Sequence, residues 1–332
     1  MADVTYAGSG INFESLVLTT LPYFGDHGNG ILNSNLLTAK LKEQGSYETI
    51  EGGLEFWHGI RKTENTNAKW QGKNDDMSAA AQDPLARLRW DPKIFTDSVV
   101  TNDLEKAQNK GRAAIKSYLK ELKEQAKDTI DNRFNGAMWA TTPGSDEPSS
   151  IPSLISATPT VGTIGGLNRA GNSYLQNGAY TAAIADIGSE AGISIIVYLR
   201  IRYSAGKELA DLIVMDELRF ANLAAHLNNQ RQYRPDDKMA QLGFESVKLG
   251  TATIGYENTN VLGGANTITA GYMYGISTKS IRLRRLSDEM ADGWEKSFER
   301  VGRSLNKAVY YKMFCNLTCK TPRANWVATS LT

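Results

Sequence analysis

Apolar side chains recur most regularly between Asn102 and Asn135. Leu104, Ala107, Gly111, Ile115, Tyr118, Leu122, Ala126, Ile130 and Phe134 return every three or four residues, with Lys106, Lys110, Lys116, Lys120, Glu124, Lys127 and Asp128 on the opposite side. That period predicts one amphipathic helix, opened by Asn102 with Glu105 three positions on, as in a capping box. At 1.5 Å per residue it spans roughly 50 Å, about twice the diameter of the body the chain can build around it, so an elongated molecule is expected. Its charged face is either solvated or set against a neighbouring subunit.

Before the helix, Tyr47–Ile60 and Leu85–Val100 are rich in aromatic and β-branched residues, punctuated by Gly52-Gly53 and Pro92. They read as strands and, with Thr63–Asp83 between them, as a long hairpin. The intervening 21 residues carry only two large apolar side chains, Trp70 and Met77. Loops of this length inside compact domains are uncommon and usually functional or disordered. Fixing such a stretch costs ~20 to 40 kcal/mol before its own hydrogen bonds offset part of it. Repaying that by apolar burial needs ~800 to 1,600 Å², the scale of a protein interface. The expected ordering partner is a neighbouring copy of the same chain.

Elsewhere the pattern is segmental. Residues 1–45 read as an extended arm, with periodicity only over the short Leu32–Leu41 stretch, and Thr142–Pro152 reads as an exposed linker by its Pro, Gly and Ser content. Asp211–Asp216 reads as a buried strand, with Asp216 capping a helix from Glu217 to about Asn228. Ile193–Ile201 is ambiguous: the alternation of Ile193, Ile195, Val197, Leu199 and Ile201 favours a strand, and glycine-poor flanks permit a helix. Leu242–Tyr256 and Gly271–Leu286 read as strand pairs with Gly turns, and Ala308–Lys320 as a last strand closed by Pro322. The class is α+β, without internal repeats.

Composition narrows the function. The 332 residues, 41% hydrophobic and 22% charged, are those of a soluble globular chain of one large or two ordinary domains. With 37 basic and 36 acidic residues the formal charge is +1, so the basic footprint of a dedicated nucleic-acid binder is missing and any DNA contact is weak and non-specific. No apolar run approaches a membrane span and the first residues lack a signal pattern, so a chain made and used in the cytosol, with no membrane partner, is expected. Cys315 and Cys319 lie four apart on one strand face, ~13 Å apart at ~3.3 Å per residue, beyond disulfide reach, and are read as packing thiols. His27, His58 and His226 show no metal-ligand spacing.

No catalytic, cofactor or metal residue is assigned. Gly166–Ser173 nearly matches the phosphate loop GxxxxGK[ST], but Asn172 stands where the lysine is needed and no apolar strand precedes it; a nucleotide-using enzyme is the remote alternative. No GxSxG elbow is present, and pairs such as Asp236 and Asp237 lie in polar runs. Three arginine sets, Arg87 with Arg89, Arg200 with Arg202, and Arg282 with Arg284 and Arg285, would each project alternate residues from one face of a strand. They make intrachain ion pairs, intersubunit ion pairs, or a patch facing packaged nucleic acid.

Specific runs then add a resemblance. Gly52-Gly53 with Glu55, Lys69-Trp70-Gln71-Gly72 and Ala79–Trp90 are similar to the extended loop of major capsid proteins of tailed bacteriophages with the Hong Kong 97-type fold. The run from Thr160 to Ala170 with Tyr174–Asn177 resembles that group's TVGGI[DN]RAT motif, here lengthened by Thr163 and Ile164 and with Tyr174 and Leu175 where paired tryptophans are usual. Asp211–Val214, Leu242–Glu245, Met273-Tyr274 and Asn316–Cys319 with Pro322-Arg323 resemble later landmarks, so that the likeness runs from about Asn33 to Leu331. It implies an N-terminal arm (1–45), an extended β-hairpin loop (46–100), a peripheral domain with a long spine helix (101–159), an axial domain (160–257) and a return to the peripheral domain with terminal strands (258–332). It implies hexamers and pentamers of an icosahedral virion shell around double-stranded DNA, with a portal protein and a separate scaffold or decoration protein as further partners. An encapsulin-like compartment is the nearest alternative. Intersubunit contacts are expected from Trp70, Met77, Lys69, Lys73, Arg87, Arg89 and Arg284.

Overall fold

The computed structural model describes residues 36–74, 76, 80–102, 126, 129–130, 132–184, 187–229, 246–257, 268–286, 292–294, 299–300 and 306–331. The predicted arm up to residue 35 and residues 103–125 of the predicted long helix therefore lie outside the described residues. The last residues of the arm are not extended. They form helix α1 (Leu36–Glu43), because Leu36 and Leu37 lie five and four residues before Leu41 and the three are buried together, and Gly45 at φ +68 ends the turn that follows.

The predicted strand Tyr47–Ile60 is two strands. β1 (Tyr47–Ile50) and β2 (Phe56–Arg61) are separated at Gly52 and Gly53, whose φ values of +75 and +121 turn the chain out of one sheet. β3 (Leu85–Trp90) returns antiparallel to β2, and Asp91-Pro92 breaks it from β4 (Lys93–Asn102). Of the predicted long helix, residues 126, 129–130 and 132–139 are described, and they are helical. Ala126, Ile130, Phe134 and Met138, four apart, are all buried, so the predicted stripe holds there and continues to 139. A short helix α2 (Ile151–Leu154) follows, capped by Ser150.

β5 (Thr163–Ile164) and β6 (Leu167–Asn168) make a two-residue hairpin whose central Gly165 and Gly166 both have positive φ, as a type I′ turn requires. β7 (Gly178–Tyr180) leads to α3 (Glu190–Arg202). The alternation over Ile193–Ile201 is thus helical. Ser189 Oγ accepts from the Gly192 amide at 3.2 Å and starts the helix, and only Gly192, Ile196 and Leu199 are buried, a helical spacing rather than a strand face. β8 (Leu212–Asp216) is buried throughout. Asp216 Oδ1 accepts from the Arg219 amide at 2.9 Å and caps α4 (Glu217–Asn229), as expected.

β9 (Val247–Leu249) and β10 (Ala252–Glu257) pair around Gly250, as expected. β11 (Met273–Ile276) and β12 (Ile281–Leu286) do not pair with each other; they belong to different sheets. The chain ends through β13 (Asp292–Trp294), β14 (Glu299–Arg300), β15 (Asn306–Cys319) and β16 (Trp326–Ala328), the last of which follows Pro322 and was not expected.

Among the described residues most strands fall into two six-stranded sheets. In the first, β15 pairs with β4, β12, β13 and β14, and β1 adds parallel to β12. Tyr311, Met313, Cys315, Leu317 and Cys319 alternate along β15 and are all buried, so both thiols lie on one inner face and are free. In the second, the order is β7-β16-β11-β8-β10-β9. Leu212 and Val214 of β8 join the cluster that includes Ile130, Phe134 and Met138 and the first sheet, while Ile213 and Met215 face α3 and α4. Both faces are covered, which is why β8 reads as an unbroken apolar run. On β11, Gly275 pairs with Trp326, and a Cβ there would lie 2.0 Å from the indole.

Candidate assembly surface

The hairpin β2–β3 presents two chemically different faces. Phe56, His58, Leu88 and Trp90 alternate inward and are buried. Its outer face carries Trp57, with the Arg87 guanidinium 4.8 Å from the ring centroid, a cation–π contact, and Arg89, whose Nε lies 3.6 Å from Glu55 Oε2.

The inner face is anchored at two points. Arg89 N donates to Gly165 O at 3.0 Å, and a Cβ on Gly165 would stand 2.8 Å from Leu88 Cβ, so the β5–β6 turn docks on β3 only as glycine. His58 Nε2 lies 3.0 Å from Thr318 Oγ1. The same hydroxyl lies 3.2 Å from Arg282 O, so Thr318 links the ring to the β12 backbone. Burial, then the charges of Arg284 and Lys320, push its pKa down to about 4, and the ring is neutral. Its edge meets Trp90 at 5.7 Å.

Beyond the strands, polar rungs join the two arms of the loop. Lys62 N donates to Pro84 O at 2.7 Å, Lys62 Nζ pairs with Asp83 at 3.2 Å, Thr66 N donates to Gln82 Oε1 at 3.2 Å and Asn67 Nδ2 to Ala80 O at 2.8 Å. None of the described residues from 63 to 83 is buried. At the tip Trp70 is as exposed as an isolated residue, at 103%, between exposed Lys69 and Lys73. Met77 lies outside the described residues.

The expected contact residues thus fall into three groups. Trp70, Lys69 and Lys73 gather at the tip, and Arg87 and Arg89 lie on the outer stem. Arg284 sits at the base, engaged within its own chain. Its Nε donates to Glu48 Oε2 at 2.8 Å and its Nη1 to Trp57 O at 2.9 Å, and Arg282 pairs with the other Glu48 oxygen. The parallel register of β1 on β12, which sets Glu48 opposite Arg284, makes this bridge. Arg285 donates to Thr49 Oγ1 at 3.0 Å and lies over the Tyr47 ring. Burial lowers the pKa of both Arg282 and Arg284. A cleft of about 460 Å³ between the Gly52-Gly53 turn and β12 is lined by Trp57, His58, Arg282, Arg284 and Lys320.

A buried knot behind the hairpin escaped sequence reasoning. Arg169, 1% exposed, donates to Asn177 Oδ1 at 3.0 Å and to the carbonyls of Ser153 and Leu154 at 2.9 Å each. Asn177 in turn accepts from Ser156 N and donates to Ser156 O and Gly178 O. The arginine thus closes the end of α2 and ties it to β6 and β7. Burial lowers its pKa. The signal available was a single arginine in the run from Leu167 to Ala170 with Asn177 eight residues on, both inside the motif that carried the resemblance.

In the near phosphate loop the residue standing in the lysine position turns back on its own backbone. Asn172 Nδ2 donates to Asn168 O at 2.9 Å and closes its own turn. Among the described residues no group of three or more His, Cys, Asp or Glu is placed to hold a metal, and no helix is long and apolar enough to cross a membrane.

No protein-family profile and no curated protein matches the sequence. Solved structures do match. The fold is that of the Cyanophage A-1(L) capsid asymmetric unit, with a TM-score of 0.58 over 86% of this chain and 90% of that one at 9% identity. The capsid of the native GTA particle follows with a TM-score of 0.54 over 88% and 90% at 12% identity, and that of the empty GTA particle with 0.54 over 87% and 89% at 10%. The chain has the mixed α+β fold of Hong Kong 97-type capsid proteins.

Proposed function

We propose that this chain is the major capsid protein of a tailed bacteriophage, assembling as hexamers and pentamers into an icosahedral shell around double-stranded DNA. The observation that carries the reading is the hairpin. A stem packed on its inner face by Phe56, His58, Leu88 and Trp90 projects a polar tip whose one described large apolar side chain, Trp70, is covered by none of the described residues. The capsid fold gives such a projection a use. A tip lying on the next subunit makes a head-to-tail contact, which closes into rings. In this reading the hairpin is the extended loop, the long helix is the spine of the peripheral domain, and the sheet around β8 with α3 and α4 is the axial domain. A portal, a scaffold or decoration protein, and weak contact with packaged DNA complete the expected partners, and no catalytic role is assigned.

Deleting Asn67–Ala81 tests this. The rungs lost are confined to the loop, so the subunit is expected to stay soluble and folded while the full-length chain, but not the deletion, forms megadalton particles by sedimentation and electron microscopy. Normal particles from the deletion would refute the role of the loop, and a full-length chain that stays small would refute the shell.

A further inference from the structure

The hairpin tip calls for an apolar receptor, and the chain carries one. A slot of about 160 Å³ opens where the start of β4, the end of the long helix and the loop after it meet, walled by Ile94, Phe95, Phe134, Ala137 and Pro148. A cavity of about 150 Å³ with apolar walls admits one benzene ring, so the slot has room for the six-membered ring of one indole, with the rest of the side chain at its open mouth. Ile94 at its mouth is 60% exposed, an apolar edge that no described residue of the chain covers. The rim is acidic on one side, where Asp146 and Glu147 are exposed; Glu147 Oε2 accepts from Gly144 N at 2.9 Å, which leaves its other oxygen for a partner. Of the two cations beside it, Lys93 is engaged with Ser145 O at 2.7 Å, and Arg133 is exposed at the slot.

We propose that Trp70 of one subunit seats in this slot on the neighbouring subunit, with Lys69 and Lys73 meeting Asp146 and Glu147. The match is one of size and of charge. The tip offers one exposed indole flanked by two lysines; the slot offers room for one ring beside two carboxylates. Arg133 is placed to lie against the face of a seated indole, the geometry of a cation–π contact. Trp70 is fully exposed in its own chain, so the pairing runs between copies, and donor and receptor on different parts of the subunit make it heterologous. The inference rests on the shell reading above and names the receptor for its loop.

A benzophenone-bearing amino acid at position 70 tests the contact directly. Irradiated particles are expected to yield chain-to-chain adducts on denaturing gels, with peptides mapping to 93–95, 133–137 or 146–148. Adducts mapping elsewhere, or only within one chain, overturn the proposal. A second arm does not depend on that residue being tolerated. Asp146→Lys with Glu147→Lys is expected to cut particle yield at least tenfold at moderate salt, and adding Lys69→Glu with Lys73→Glu to the same chain is expected to restore it. No loss, or no restoration, overturns the charge pairing. If unaltered chain forms particles and either arm fails, the receptor assignment falls and the shell stands; if unaltered chain forms no particles, both fall.

Discussion

Arg169→Met removes the guanidinium from the knot behind the hairpin while keeping an unbranched side chain to fill most of the space. Three acceptors lose a donor, but not equally. Asn177 Oδ1 still accepts from Ser156 N at 3.0 Å, whereas the Ser153 and Leu154 carbonyls, each 2.9 Å from Nη2, are the last of a short helix and have no successor amide within it. A buried acceptor stripped of its partner costs about 1 to 3 kcal/mol, so two cost about 2 to 6 kcal/mol. Against this, methionine is spared the dehydration of a cation that is 1% exposed, a penalty of several kcal/mol that the native contacts only partly offset. The expected net loss lies in the lower half of the range, about 2 to 3 kcal/mol.

Arg169→Lys sharpens the test. Lysine keeps the buried charge but presents a single ammonium, which cannot reproduce a planar fork reaching three acceptors. It is expected to be no more stable than the methionine variant, although it is the more conservative change by charge. Urea unfolding of the unassembled subunit, followed by far-ultraviolet circular dichroism, should show a lower midpoint with an unchanged slope. A loss below about 1 kcal/mol for methionine, or wild-type stability for lysine, would refute the reasoning. Because β6 carries on from the turn whose Gly165 carbonyl accepts from Arg89 N, a loosened knot should also raise amide exchange at Arg89.

Gly275→Ala sets a methyl 2.0 Å from the Trp326 indole across the strand pair, inside a sheet covered on both faces. Overpacking of about 1 to 3 kcal/mol or more is expected, read as loss of soluble yield or a lower unfolding midpoint; unchanged stability would show that Trp326 can move aside. Burial holds Cys315 up to about 12 and Cys319 to about 11, so neither should react with a thiol reagent at neutral pH in the native subunit, and both should after denaturation. His58 has its pKa pushed from 6.5 to about 4, so the folded chain binds this proton more weakly than the unfolded one. Its contribution to stability is complete above pH 6.5 and drains as pH falls from 6.5 towards 4. His58→Gln should flatten stability against pH across that window, and an unaltered slope would rule His58 out as a source.

What could be read before folding was periodicity; what could not was pairing. The stripe through Ala126, Ile130 and Phe134, the run of β8 and the alternation along β15 each follow from one element meeting one core. α3 defeated the same logic because Ile193, Ile195 and Val197 are half-buried or exposed while Ile196 and Leu199 take the inner side, leaving no clean period of either kind. Gly52-Gly53 was legible as punctuation, but its meaning, that the chain leaves one sheet for another, depends on β1 joining β12 more than 230 residues away. That same pairing separates arginines that look alike in sequence. Arg284 is drawn onto Glu48 by register, while Arg87 and Arg89 stay on an exposed face because β2 offers them Trp57 and the neighbouring Glu55. Arg169 was unreadable for a different reason: two of its three acceptors are backbone carbonyls, which no pattern of side chains records. The loop tip runs the other way. Its polar rungs fix one arm against the other without burying either, so they set its shape and leave Trp70 unburied. An indole held out on an ordered support, rather than on a free tail, loses less freedom when it binds, and this makes the exposed tryptophan, more than the lysines beside it, the residue on which the contact between subunits should depend.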